Sequence, residues 1–330
     1  MDTIADYFEQ AQLSQAAYAL GLQQGAFGAQ NSEYVTALRA AGMSQTQAEA
    51  FADTYTVVDQ YTDPTGFSGT VFSKSGINYF AIRGSENIFT GAGAIDWFGS
   101  DLDEIGGEGI AISQGLAMLN WLQRLYGAPG SAVVQYTYNA DGTISTFTDT
   151  ADGALNGQTS PVSVAGHSLG GQLAMMLSRM APSLFTTAYT YNAPGFDVFG
   201  TGITSEGFFN LLSNAPVPLT GAIGTSWNTN GINWNVGGDI VHLAGFVPGN
   251  SGIIFSESTN QGVIDAHLKE PIVDALAVYN LLNGVGASLT FYQITPILRR
   301  LQPSGRKSGR HSQCTGGPVR CRCHRDHRSA

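Results

Sequence analysis

The chain has 330 residues, 43% of them hydrophobic and only 12% charged, and carries a formal net charge of −10. That length can bury a large core in one or two domains, and no apolar run approaches the roughly 18 residues of a membrane span. The charge is divided: residues 1–295 hold 6 Lys+Arg against 24 Asp+Glu, a net of −18, while residues 296–330 hold 9 against 1, a net of +8. An acidic body argues against nucleic acid as a partner. All three cysteines (Cys314, Cys321, Cys323) lie in the basic tail, so no disulfide supports the body. The opening Met1-Asp2-Thr3-Ile4-Ala5-Asp6 has no basic n-region or apolar h-region. The expectation is export by a route without a cleaved N-terminal signal, or a cytoplasmic location.

Residues 4–23 read as a helix, with Ile4, Tyr7, Phe8 and Leu13 on one side. A second helix is expected over 44–55, opened by the capping-box pattern Ser44-Gln45-Thr46-Gln47. Strands follow at 56–61, 69–73 and 77–83, with Gly76 near the turn between the last two. An amphipathic helix is expected over 110–126, ending at Gly127, and then a hairpin over 131–149 around Asp141-Gly142. Tyr189-Thr190-Tyr191 is a further strand. Residues 200–236, rich in Gly, Asn and Thr, give no clear reading. A late helix spans about 269–283, with Pro271 in its first turn and Gly284 after its end. Strands alternating with helices imply an α/β fold with a mostly parallel sheet.

Between the hairpin and the 189–191 strand lies the segment richest in chemistry. Gly166-His167-Ser168-Leu169-Gly170 is a G-x-S-x-G motif, followed by Gly171. A β-branched run, Pro161-Val162-Ser163-Val164-Ala165, precedes it, and an apolar run from Gln172 to Ala181, stopped by Pro182, follows it. Strand, sharp turn and helix are the context a nucleophile elbow requires, because the turn lifts one serine hydroxyl above the sheet. That context separates the motif from a chance match in a chain with 42 glycines.

Serine is a weak nucleophile at neutral pH and needs a base, which in turn needs an orienting acid. Outside the tail there are three histidines: His167, His242 and His267. His167 adjoins the nucleophile in sequence and points away from it at such a turn. In α/β-hydrolases the order is Ser, acid, His. His267 lies just before the late helix, where the base belongs, and is favoured over His242, which reads as structural or as a pocket wall. The acid candidates between Ser168 and His267 are Asp197, Glu206, Asp239, Glu257 and Asp265. Asp239 is favoured, because Trp234-Asn235-Val236-Gly237-Gly238 before it looks like a strand end and turn. Asp265 is close enough to the late helix to cap it instead. The oxyanion hole needs two donors. One is the backbone N–H of Leu169, and the other must come from the end of an earlier strand. Phe80-Ala81-Ile82-Arg83-Gly84-Ser85 is such an end.

Arg-Gly-Ser after an apolar strand, then Asp96-Trp97 and Asp101-Leu102, then Gly-His-Ser-Leu-Gly-Gly, resembles the class 3 lipases over about residues 70–283. The resemblance implies an α/β-hydrolase fold, with a mostly parallel central sheet flanked by helices. It implies Ser85 as the second oxyanion donor, Asp239 in Asp239-Ile240-Val241 as the acid, and His267 as the base. It implies hydrolysis of a carboxylic ester, with acylglycerols as first choice and phospholipids or short-chain esters as alternatives. No cofactor is required; the resemblance admits a structural calcium. The flavour is that of large bacterial members with calcium-binding repeats downstream, but such repeats are missing from this sequence. Residues 87–95 depart from the family pattern and form one lid candidate; residues 203–223, with Phe208, Phe209, Leu211 and Leu212, form the other. The expected partner is a lipid or small-molecule ester, met through transient contact with a lipid–water interface. A non-catalytic binding module on the same fold is the competing class. Oligomeric state is not legible.

The expected organisation is a catalytic domain over 1–295 and a basic Cys/His-containing tail over 296–330. The spacing of Cys314, Cys321, Cys323, His324 and His327 fits no standard zinc finger. The tail reads as disordered, or as translation in a shifted frame.

Overall fold

The structure is a computed structural model and describes residues 2–85, 109–197, 202–228, 230–256, 263–285 and 289–301. Three helices open the chain: α1 (Ile4–Ala16), α2 (Ser32–Ala40) and α3 (Gln45–Ala52). Thr3 and Ser44 close capping boxes on α1 and α3, and the Asn31 side chain caps α2. The strands β1 (Thr56–Thr62), β2 (Ser68–Lys74) and β3 (Ile77–Ile82) follow as an antiparallel meander. Helix α4 (Ile112–Tyr126) and the hairpin β4 (Ala132–Tyr138) and β5 (Ile144–Thr150) lead to β6 (Val162–His167), α5 (Leu169–Met180) and β7 (Phe185–Tyr191). The chain continues through α6 (Ser205–Asn214), β8 (Ile232–Val236) and β9 (Asn250–Ile254). It closes with α7 (Val263–His267), α8 (Lys269–Val285) and α9 (Phe291–Leu301).

Seven strands form one sheet in the order β1-β2-β3-β6-β7-β8-β9, while β4 and β5 pair apart from it. Strand β3 is parallel to β6, and β6, β7, β8 and β9 are parallel in turn. Side chains alternate across this sheet, as the two-residue strand period demands. Phe80, Ile82, Val162 and Val164 face the core beneath α4, α5 and α6, whereas Ala81, Ala165, Tyr189 and Tyr191 face the core beneath α1, α3 and α8. Both faces of the sheet are therefore covered, as a parallel sheet requires. A mostly parallel sheet between helical layers, with a strand–elbow–helix at its centre, is the α/β-hydrolase architecture.

The strands read from sequence agree with those observed to within a residue or two, except that the strand expected at 189–191 begins four residues earlier, at Phe185. The first helix does not run to residue 23. It ends at Ala16, and Ala17 and Ala19 stay fully buried in a loop, so an apolar pattern persisted past the helix. Helices α2, α6, α7 and α9 and strand β9 have no counterpart among the elements expected from sequence. Helix α9 crosses the point where the composition changes, with Pro296 inside it. The lid candidate at 87–95 lies outside the described residues. In the other candidate, Phe208, Phe209 and Leu212 of α6 are buried in the core with α5. The Arg179 guanidinium makes a bidentate pair with Glu206 at 2.6 and 2.7 Å and lies over the rings of Phe209 and Trp227. This helix is a packed element and presents its aromatic face to the core.

Candidate active site

The register of the parallel strands brings four strand ends to one edge. Ile82 of β3 pairs with Gly166 of β6, Gly166 with Thr190 of β7, and Tyr191 of β7 with Trp234 of β8. Ser85, Ser168, Asn192 and Asp239 therefore follow the carboxyl ends of β3, β6, β7 and β8, the edge where open α/β sheets bind ligands.

Ser168 sits at φ 55°, ψ −132°, a strained conformation for a residue with a Cβ, costing on the order of 1–3 kcal/mol. Two features hold it there. Its N–H donates to the Tyr191 carbonyl at 2.9 Å, extending the β6–β7 ladder by one residue. A Cβ at Gly166 would overlap the carbonyl oxygen of Gly170, so only glycine lets the strand and the helix close on each other. The chain leaving β3 passes just as near: a Cβ at Gly84 would lie 3.2 Å from that of Ser168. Ser85 is the next residue along the chain. Leu169 opens α5, so its N–H is among those left without an intrahelical partner.

His267, the last residue of α7, accepts at Nε2 from the Ser168 hydroxyl, Oγ to Nε2 2.8 Å, and donates from Nδ1 to Asp239 Oδ1 at 2.9 Å. All three groups are buried. Asp239 Oδ1 also accepts from the N–H of Val241 at 3.2 Å, and Oδ2 accepts from the N–H of His242 at 3.3 Å and from His242 Nδ1 at 3.1 Å. Burial alone would raise the Asp239 carboxyl. The hydrogen bonds from His242 and His267, with the remaining donors, overcome that and hold it well below the usual carboxylate range.

The structure thus brings Ser168, His267 and Asp239 into one hydrogen-bonded chain. His242 is joined to the same carboxylate through the other oxygen, a contact with no signal in the sequence beyond the three-residue spacing from Asp239. The other acid candidates are occupied differently. Asp197 accepts from Ser205 N–H and Oγ at 2.7 and 2.8 Å at the start of α6, Glu206 is paired with Arg179, and Asp265 lies within α7. Glu257 is outside the described residues.

His167 points away from Ser168. Its Nδ1 lies 3.0 Å from the Tyr18 hydroxyl and its Nε2 lies 2.7 Å from the backbone carbonyl oxygen of His267. Burial, and then the neighbouring His267, push His167 down to about 3. Asn192, at φ 50°, donates from Nδ2 to the carbonyls of Ala266 and His267 at 3.0 and 3.2 Å. Neither contact was read from sequence, because the partners lie 74 to 149 residues apart. Among the described residues no group of three or more His, Cys, Asp or Glu is arranged to hold a metal ion, and no helix is long and apolar enough to cross a membrane.

Sheet order, helical layers and the strand–elbow–helix at the centre give the chain an α/β-hydrolase fold. No family model matches the chain, and no curated protein matches it. Among solved structures it is similar to the Lip2 lipase of Yarrowia lipolytica, at 16% identity over 76% of this chain and 78% of that one, with a TM-score of 0.35. It is also similar to a triacylglycerol lipase of Penicillium expansum, at 15% identity over 80% and 81% of the two chains, with a TM-score of 0.33.

Proposed function

We propose that the chain is a serine carboxylic-ester hydrolase, and within that class a lipase acting on acylglycerols. The observation that supports this is the unbroken path from the Ser168 hydroxyl at a strained elbow, through both nitrogens of His267, to a buried Asp239. In this reading Ser168 Oγ attacks the ester carbonyl as its proton passes to His267 Nε2. Asp239 holds the Nδ1–H tautomer and stabilises the imidazolium. The backbone N–H groups of Leu169 and Ser85 carry the charge that develops on the carbonyl oxygen, assisted by the N-terminal end of α5. The tetrahedral intermediate collapses, the C–O bond to the alcohol breaks, and His267 returns the proton to the leaving oxygen. Water, deprotonated by His267, then attacks the acyl-enzyme, and the acid is released as Ser168 regains its proton.

Ile240, Leu243 and Phe246, on the segment leading away from Asp239, are large apolar side chains left exposed. They favour an apolar ester met at a lipid–water interface over a charged soluble one. Hydrolysis of tributyrin, triolein and phosphatidylcholine, measured side by side on wild type and Ser168→Ala, tests the proposal. Release of fatty acid from the acylglycerols by wild type alone is expected. Preference for phosphatidylcholine would make the protein a phospholipase, cleavage of tributyrin alone would make it a short-chain esterase, and no turnover of any of them would make it a binding module.

A further inference from the structure

We infer that His167 and Asn192 are positioning residues that clamp the main chain of His267 and so fix where its imidazole stands. The inference rests on the triad proposed above and goes beyond it.

Helix α7 spans only Val263–His267, a single turn with little stability of its own. The base at its end must be held by something else. Its carbonyl oxygen is approached by two side-chain donors, Nε2–H of His167 at 2.7 Å and Nδ2–H of Asn192 at 3.2 Å. The same Asn192 nitrogen holds the preceding carbonyl, that of Ala266, at 3.0 Å. These are the last carbonyls of α7, groups that a helix leaves unsatisfied. Both donors are buried, where losing a partner is costly.

The clamp is anchored to the strands that carry the rest of the site. His167 ends β6 and directly precedes Ser168, and Asn192 follows Tyr191, whose carbonyl accepts from Ser168 N–H. The Asn192 Oδ1 accepts from the N–H of Val236 at 2.8 Å, at the end of β8 and three residues before Asp239. One amide therefore joins the base segment to the strand of the acid, and one imidazole joins it to the strand of the nucleophile.

The direction of each bond is fixed. Only Nε2–H of His167 can donate to a carbonyl, so Nδ1 is the acceptor, and the Tyr18 hydroxyl donates to it. The ring is kept neutral by its burial, so this tautomer holds through the neutral range. If the clamp lets go, the His267 main chain drifts. A misplacement near 1 Å at a reacting group is worth about 10²-fold in rate.

The test compares His167→Leu, which fills similar volume without a donor, with His167→Gln, whose Nε2 reaches the same place as the imidazole Nε2. The leucine variant is expected to lose about 10²-fold in kcat, with KM on tributyrin near wild type and a parallel fall in the rate at which an alkyl phosphonate labels Ser168. The glutamine variant recovers most of that loss. Full kcat in the leucine variant, or equal losses in both, overturns the proposal, as does a change confined to KM. Should the leucine variant not fold, Asn192→Asp keeps the side-chain shape and the acceptor for Val236 N–H but removes the donor to the Ala266 and His267 carbonyls. A fall in kcat at constant KM is then expected, and unchanged kcat overturns the clamp. Ser168→Ala separates the two levels. If it stays active, the triad reading fails; if it is dead while His167→Leu is normal, only the clamp fails.

Discussion

Replacing Asp239 by asparagine changes one atom in the most heavily bonded group of the site. The carboxylate is buried and accepts four hydrogen bonds, two at each oxygen: Val241 N–H and His267 Nδ1 on Oδ1, and His242 N–H and His242 Nδ1 on Oδ2. An amide offers one acceptor and one donor group, so it can serve only one of the two imidazoles. Whichever way it turns, an NH₂ faces a ring N–H. If that ring is His267, its proton moves to Nε2, the nitrogen that must accept from Ser168, and the base is blocked. If it is His242, the charge that stabilises the imidazolium is still gone. The expected loss in kcat/KM is about 10⁴-fold, or about 5 kcal/mol of barrier at 1.36 kcal/mol per factor of ten. The penalty of an unsatisfied buried donor adds about 1–3 kcal/mol of lost stability, so Tm falls while the fold persists. The assay is the initial rate of fatty-acid release from tributyrin, with Tm followed by calorimetry. A folded asparagine variant within tenfold of wild type would refute the assignment of Asp239 as the acid.

Three further outcomes follow from the same geometry. His267→Ala is expected to abolish turnover, while His242→Ala, which removes one of the four donors on Asp239 and keeps the backbone N–H, costs about tenfold; the reverse order would make His242 the base. Ser85→Ala keeps the backbone donor and removes the hydroxyl, so kcat falls by up to about 10²-fold at constant KM, and a change in KM alone would deny it a place at the oxyanion. The third concerns stability. His167 is held at about 3, against an ordinary 6.5, so below pH 6.5 the unfolded chain binds a proton that the folded one refuses. Stability is complete above that value and is lost as the pH falls toward 3, by at most about 1.4 kcal/mol per pH unit. His167→Gln removes this group and should flatten the dependence of Tm on pH between 7 and 4; identical slopes would contradict the buried neutral imidazole.

The parts of the molecule that were legible in the sequence are those with a local signal. The elbow declared itself through glycines around a serine between a β-branched run and an apolar helix. The candidates for the base are few, since the body holds only three histidines. Asp239 stands out among the acid candidates through the short run at 234–238, which is the end of β8 and its turn. What escaped has no local signal. Helix α6 sits in a stretch of Gly, Asn and Thr, and its Phe209 is packed against Arg179, Trp227 and Phe208. Strand β9 is an edge strand, Asn-Ser-Gly-Ile-Ile, with only its last residue buried; pairing with β8, not propensity, makes it a strand. The loop after Ala16 kept its apolar pattern because the core needs it, and from that loop Tyr18 reaches His167. The contacts of His167, Asn192 and His242 depend on where strand ends meet, which spacing along the chain does not encode.

Every proposed step depends on Ser168 being a nucleophile activated by His267. Treatment of the folded protein with a long-chain alkyl phosphonate, followed by peptide mass analysis, tests it most directly. One phosphonyl adduct is expected, on Ser168, with parallel loss of ester hydrolysis and no labelling of His267→Ala on the same timescale. A folded protein that leaves Ser168 unmodified, or that loses activity through an adduct elsewhere, would contradict it.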